Sequence, residues 1–487
     1  MQKHRNIIVL VLILIVSLSC RFLIPEATRT PVPVTEPPAQ TEPPTVTLPV
    51  LTSTPLAPTS TPAPTSLNPS GPYILYGGEG GIWISNPDGS LLTKITDLPI
   101  DLDDLHRAIS PSGDRMALIV SNDEGLDLFE VRIPGGETKT IAHLLSITQD
   151  ELISNPLSPK AFAAYAIRDY DNIAWQPGDG QLLAFMGAMD GPTSDLYLYD
   201  TQTSEITQLT DGPAQGAFPN WSPDGKYILH YGVSWRGPFG GAIIGHDHLD
   251  GVWAVRVADG EVITLPTPKS ISFNFVGWQD EGHYITYDSD ETCYSQNLRS
   301  VDVVTGRARP IMDLSFYSQI ARSPETETFL FAGAVGCSNS PGDGVFLLLP
   351  GQTTPTKLLD KKAYEVRWLP ESRVFQAYPE ALFSPDGRIR YNPPVYDKSF
   401  EPAVSQKGYE AWEVIENQKG RVEVRVPGAD WQTILDGSVE ELIWDPATGE
   451  TLLIVLRDGS LYAASHPDFA PRQVGNVDGV RQMIWLP

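Results

Sequence analysis

Cysteine is nearly absent: three residues in 487, at Cys20, Cys293 and Cys337. So few exclude a disulfide-dense fold and any four-cysteine zinc site. Positive charge is scarce as well, 34 Lys plus Arg against 60 Asp plus Glu, a formal charge of −26. That balance argues against wrapping nucleic acid or lying on an anionic lipid surface. No Gly-x-Ser-x-Gly elbow occurs anywhere, which removes the usual mark of an α/β-hydrolase nucleophile. Apolar runs are short too. The 44 Pro and 41 Gly are too many for a mainly helical protein.

The longest apolar run, Ile7 to Val16, follows Lys3, His4 and Arg5 and gives way to Ser17-Leu18-Ser19-Cys20. As a helix it covers roughly 15–18 Å, short of a bilayer core of about 30 Å. It reads as a secretory signal with small residues at its cleavage end. Leu18-Ser19-Cys20 resembles the cleavage box of a bacterial lipoprotein, with Ser17 where that family usually has leucine. The resemblance implies a diacylglycerol on the Cys20 sulfur and an acyl chain such as palmitate on its freed amine. Two or more chains anchor stably where one does not. The alternative is an ordinary signal peptide and a soluble secreted product.

Residues 21–70 hold 13 Pro, 11 Thr and 4 Ser with no Gly. Proline removes backbone donors and pushes its predecessor out of the helical region, so this stretch closes no core. Fully extended it reaches roughly 150 Å, at about 3.1 Å per residue. The expected organisation is a signal peptide over 1–19, a lipidated cysteine and disordered tether over 20–70, and a folded part over 71–487.

The folded part repeats a module of four short strands. Its plainest copy has Phe218-Pro219-Asn220-Trp221, the turn Ser222-Pro223-Asp224-Gly225 and the strand Lys226 to His230. The hairpin Gly251 to Val257 and Glu261 to Leu265 follows. Proline sets one corner of such a turn, Asp bonds its own backbone and Gly tolerates positive φ. First-strand anchors fall at Ile109, Trp175, Trp221, Trp278, Arg322, Trp368, Trp444 and Trp485. Four of their seven separations lie between 41 and 46, the length of a four-stranded propeller blade. Residues 481–487 read as a first strand with nothing after it, and Tyr73 to Tyr76 as a second strand with nothing before it. Joined, the two ends make one blade. Fourth strands near Ile95, Thr140, Leu209, Leu265, Ile311, Leu358, Ile434 and Val474 favour a single closed all-β propeller of eight blades over seven.

These repeats resemble TolB-like or WD40-like propeller repeats, also found in the N-terminal domain of prolyl oligopeptidase-type peptidases. The resemblance rests on Ser222 to Gly225, the weaker Ser110-Pro111-Ser112-Gly113 and Gln176-Pro177-Gly178-Asp179-Gly180, and the blade end Leu209-Thr210-Asp211-Gly212. It implies a blade type and no activity. Signal, tether and propeller together look like a surface lipoprotein without the hydrolase domain.

One compact polar cluster stands out, His246-Asp247-His248-Leu249-Asp250. On a strand, His246 and His248 share one side, and Asp247 and Asp250 can approach from the loop, a set able to hold zinc or another divalent ion. A solvated polar loop accounts for the same residues. Loops between second and third strands are acidic in several blades: Asn122-Asp123-Glu124, Asp190, Asp288-Asp290-Glu291 and Asp343. Such a face suits calcium or a basic partner, and it also simply keeps a secreted protein soluble. Cys293 and Cys337 each lie 15 positions after an anchor, Trp278 and Arg322, in neighbouring blades. A disulfide between them is expected in an oxidising compartment, with two free thiols as the alternative. Two insertions break the repeat, 145–171 with a capped helix from Ser158 to Ala166, and an irregular lobe over 379–408. Trp235, Phe239, Tyr391 and Tyr396 in such loops are able to stack on sugar rings or peptides.

The expectation is therefore a non-enzymatic, extracytoplasmic binding or scaffolding propeller, held on a bacterial membrane through acylated Cys20, at the cell surface or in the periplasm. Its partners are the bilayer and a protein, peptide or glycan, with no nucleic acid and no cofactor. The alternative is a metal-dependent lyase or hydrolase that uses the His246 to Asp250 segment.

Overall fold

The computed structural model describes residues 67, 71–78, 80–98, 105–168, 172–235, 247–268, 274–289, 295–312, 319–332, 344–361, 363, 365–369, 373–378, 381–391, 403–416, 419–477 and 479–486. They all belong to one compact unit, 62–487, and residues 1–61 lie outside the described residues. The signal peptide, Cys20 and nearly all of the tether are thus outside it.

Nine antiparallel sheets follow one another along the chain, which corrects the count of eight. Eight have four strands and one, over 115–146, has three, with Ile109 bridging to Met116 where its first strand would stand. Residues Leu105–Ala108 form a helical turn there instead, so only one residue is left to pair. Each sheet is an open ladder, and in all but the one that contains Tyr73–Gly78 the strands lie in chain order. We number them 1 to 9 from the sheet that contains Tyr73–Gly78. The expected closed eight-bladed ring is therefore replaced by a nine-bladed propeller of open sheets.

The extra sheet comes from the region read as one blade with a lobe. Sheet 7 comprises Glu365–Leu369, Val374–Tyr378, Ala381–Phe383 and Ile389–Tyr391, and sheet 8 comprises Ala403–Val404, Glu410–Glu416, Lys419–Arg425 and Gln432–Asp436. Ser384-Pro385-Asp386-Gly387 joins the third and fourth strands of sheet 7, not a first and second strand. The true first-to-second turn of sheet 8 is Ser405-Gln406-Lys407-Gly408. Its backbone closes like the Ser222 turn, Gly408 N to Ser405 O at 2.8 Å against Gly225 N to Ser222 O at 2.9 Å. Seryl oxygens organise both turns: Ser222 Oγ accepts from Tyr227 N and Ser405 Oγ from Tyr409 N, each at 3.0 Å. Serine does this job without proline or aspartate, because one side-chain acceptor is enough to satisfy the inner amide.

Sheet 1 draws on both ends of the described chain. Tyr73 pairs with Leu486, Leu75 with Ile484 and Gly77 with Gln482. A glycine begins the strands Gly81–Ser85 of sheet 1 and Gly125–Arg132 of sheet 2 and directly precedes Val345–Leu348 of sheet 6, with Gly81, Gly125 and Gly344 at φ of 126°, 147° and 142°. A Cβ there would sit 2.1, 1.8 and 2.5 Å from the carbonyls of Thr96, Leu145 and Leu359 on the neighbouring strand. Only glycine lets the two backbones approach that closely.

Side chains at the end of the first strand tie successive sheets together. Trp175 Nε1 donates to Ala108 O and Trp221 Nε1 to Ala174 O, both at 2.8 Å, and Trp444 Nε1 donates to Ala403 O at 3.1 Å. Arg322 Nη1 does the same to Trp278 O at 2.6 Å. A long flat donor at this position fills the gap between two sheets and satisfies a carbonyl of the preceding one. The blade-end motif has an equally local cause: the Asp195 carboxylate accepts Gly212 N at 3.0 Å and Thr210 Oγ1 at 3.3 Å. Apolar residues fill the remaining space between neighbouring sheets.

Candidate functional site

Antiparallel strands turn alternately at opposite ends of each sheet, so the connections divide into two sets. First-to-second and third-to-fourth connections run four to seven residues throughout. Second-to-third connections and those leading to the next sheet run from two residues, as at 123–124 and 437–438, to twenty-six at 147–172. One face is uniform turns. The other carries most of the length variation, and such variation is where propellers place recognition.

The largest described connection on the variable face is helical. Thr148 caps Gln149–Ser154 by a capping box, with Glu151 N donating to Thr148 Oγ1 at 3.2 Å and Thr148 N to Glu151 Oε2 at 2.9 Å. Ser158 Oγ accepts from Ala161 N at 3.1 Å at the head of Pro159–Arg168. That helix buries Ala161, Ala163, Ala164, Ala166 and Ile167. Ile153 and Leu157 point outward, 70% and 50% exposed.

Two of the acidic residues on this face, Asp190 and Asp288, are engaged within their own sheets. Asp190 accepts Gln208 Nε2 at 2.7 Å and the Tyr197 hydroxyl at 2.8 Å, bonds that hold its carboxyl below the usual range. Asp288 accepts Asn297 Nδ2 at 2.8 Å and Arg299 Nη2 at 2.9 Å. Asn122 Oδ1 accepts the amides of Glu124 and Gly125 at 2.8 and 3.0 Å. Asp290, Glu291 and Asp343 lie outside the described residues. Among the described residues no group of three or more His, Cys, Asp or Glu is placed to hold a metal ion.

Of the metal-ligand candidates, His246 lies outside the described residues, as do the side chains of Asp247 and His248. Their backbone begins the strand Asp247–Arg256, with Asp247 opposite Trp235 and His248 opposite Ser234. Asp250, on the same strand, is exposed. Cys293, Cys337, Phe239 and Tyr396 lie outside the described residues, and so do the side chains of Trp235 and Tyr391.

A feature that the repeat pattern does not announce lies on the turn face, between sheets 7 and 8. A cleft of about 890 Å³ is lined by Arg373, Lys407 and Arg425, with Val374, Val404 and Ala429 among its apolar walls. Arg425 Nε donates to Glu410 at 2.7 Å, and its guanidinium lies 4.6 Å from the Trp431 ring centre. Arg373 Nε donates to Glu325 at 2.8 Å, and Lys407 pairs with Glu450. Burial pushes the Glu410 carboxyl up, and the Arg425 guanidinium opposes that rise. The signal available in the sequence was the small anchor, Val404, where seven of the other eight sheets place Trp or Arg.

No family model matches the chain. Among curated proteins it is 44% identical over 55 residues to the uncharacterized peptidase YuxL of Bacillus subtilis, a stretch that is 11% of this chain and only 8% of that one. TolB from Acinetobacter baumannii is 14% identical, with 75% of this chain and 80% of that one covered and a TM-score of 0.30. Oligogalacturonate lyase from Vibrio parahaemolyticus is 14% identical over 64% and 81% of the two chains, at 0.36. Dipeptidyl peptidase 4 from Porphyromonas gingivalis is 8% identical over 84% and 60%, at 0.43. These are likenesses of fold alone, shared by binding and enzymatic propellers.

Proposed function

We propose that the protein is a non-enzymatic binding propeller on the outer side of a bacterial membrane, lipid-anchored at Cys20, presenting its variable face to a protein, peptide or glycan. The observation that carries this reading is the concentration of variation in connection length, two to twenty-six residues against four to seven, on one face of a repeated scaffold. A tether of Pro and Thr ahead of the propeller fits an anchor that must leave that face accessible. Anchorage is assigned to the lipid because Leu18-Ser19-Cys20 has the order of a lipoprotein cleavage box.

Two measurements test the reading on the full chain in its native envelope. A photo-crosslinking residue at Ile153 or Leu157 should give a discrete adduct, whereas one at Thr203 or Thr448 on the turn face should not. Equal adducts from both faces would remove the assignment. Cys20→Ser should abolish incorporation of labelled palmitate and release the chain from the membrane fraction; continued labelling would exclude this anchor.

A further inference from the structure

Position by position, the interface between sheets 8 and 9 shows what the interface between sheets 7 and 8 lacks. Trp444 ends the first strand of sheet 9, Tyr409 precedes the second strand of sheet 8, and Phe469 is the fourth residue after the third strand of sheet 9. The three rings meet edge to face: Tyr409 to Trp444 at 5.9 Å, and Phe469 to each of them at 6.0 Å between centroids. Counted from the same strand ends one sheet earlier, Trp444 becomes Val404, Tyr409 becomes Arg373 and Phe469 becomes Ala429. All three line the cleft. Two rings are thus replaced by small apolar groups and the third by a cation.

We propose that the cleft binds a small organic anion whose flat apolar body takes the place of the missing rings and whose carboxylate or phosphate meets Arg373, Lys407 and Arg425. About 890 Å³ falls within the range of small-molecule sites, roughly 300–1,000 Å³. The apolar walls supply the burial, and guanidinium groups match planar oxyanions in paired hydrogen bonds. Each of the three cations already holds one carboxylate of the protein. Only Glu410 of those carboxylates lines the cleft, so three positive groups face it against one negative one. In a chain of net charge −26 that local excess selects anions that the rest of the surface repels.

The test is calorimetric titration of the full chain with phenylacetate and with phenyl phosphate, two anions on one body. Saturable binding of either supports the proposal, and the better ligand decides between carboxylate and phosphate. Arg373→Ala and Lys407→Ala, both at exposed side chains, should together weaken binding at least tenfold. Val404→Trp, which restores the ring found in sheet 9, should abolish binding and raise the denaturation midpoint. If neither anion binds, or if binding survives unchanged in the Arg373 and Lys407 double variant, the proposal fails. Arg425 is left in place, because its loss would strand the buried Glu410.

Discussion

Two adjacent interfaces of one propeller solve the same packing problem differently. Between sheets 8 and 9, Trp444, Tyr409 and Phe469 close the gap and belong to a cluster of eleven buried apolar residues with partly buried neighbours. Between sheets 7 and 8, four buried apolar residues, Val374, Leu382, Trp412 and Val414, form the cluster, and a cleft opens beside it. Both interfaces are framed by short turns of four to six residues between first and second strands. What differs is the side chain at the anchor, so the repeat sets the frame and three side chains decide whether it is filled.

The comparison is broken most directly at its filled half. Trp444→Ala removes a ring that is 5% exposed together with its bond to Ala403 O. It should cost about 3–5 kcal/mol by chemical denaturation, as buried Trp truncations do. A loss below about 1 kcal/mol would mean that the ring is not what holds the two sheets. The converse change, Val404→Trp, should stabilise by about 0.5–2 kcal/mol, the usual range for filling a cavity. Destabilisation in that variant would show that the cleft is too shallow to take an indole.

Two smaller effects sharpen the contrast. Ser222→Ala and Ser405→Ala each delete a hydroxyl that accepts two backbone amides, so each should lose about 1 kcal/mol. Unequal losses would mean that the neighbouring packing, filled or open, props up the turn. The smallest effect is electrostatic. Burial raises the Glu410 carboxyl, so the folded state prefers its protonated form and the associated stability is present at low pH. It is lost as pH rises from the ordinary glutamate value of about 4.3 through the raised one. Glu410→Gln should flatten that decline, visible as a shallower fall in denaturation midpoint with pH. An unchanged slope would assign the decline to other groups.

Much of the fold was legible because its chemistry is local. The Ser222 turn, the period-two hairpins and the tryptophan anchors each report a nearby contact, and the structure supplies the contact. Arg322 was readable by spacing alone, and its guanidinium proves to make the bond that indoles make elsewhere. The ninth sheet was not legible. Val404 carries no large side chain, Ser405 to Gly408 has neither proline nor aspartate, and Ile389–Tyr391 is three residues long. The Ser384 turn compounded this, since turn chemistry marks a reversal of the chain without saying which two strands it joins. The cleft was hard to read for the same reason: its one mark in the sequence is the large side chain missing at the anchor position, Val404. The acidic loops were readable as residues, but the Tyr197, Gln208, Asn297 and Arg299 side chains that occupy them come from neighbouring strands.

The pairing of Tyr73–Gly78 with Val480–Leu486 has a kinetic consequence. A strand made early must wait, one edge bare, until nearly the whole chain has been synthesised. Contacts so distant in sequence are slow to form, and an unpaired edge invites intermolecular pairing meanwhile. A helper that shields Tyr73–Gly78 during folding, or a fast hairpin with Gly81–Ser85 that leaves only one side to protect, would govern how much of this protein reaches its native state.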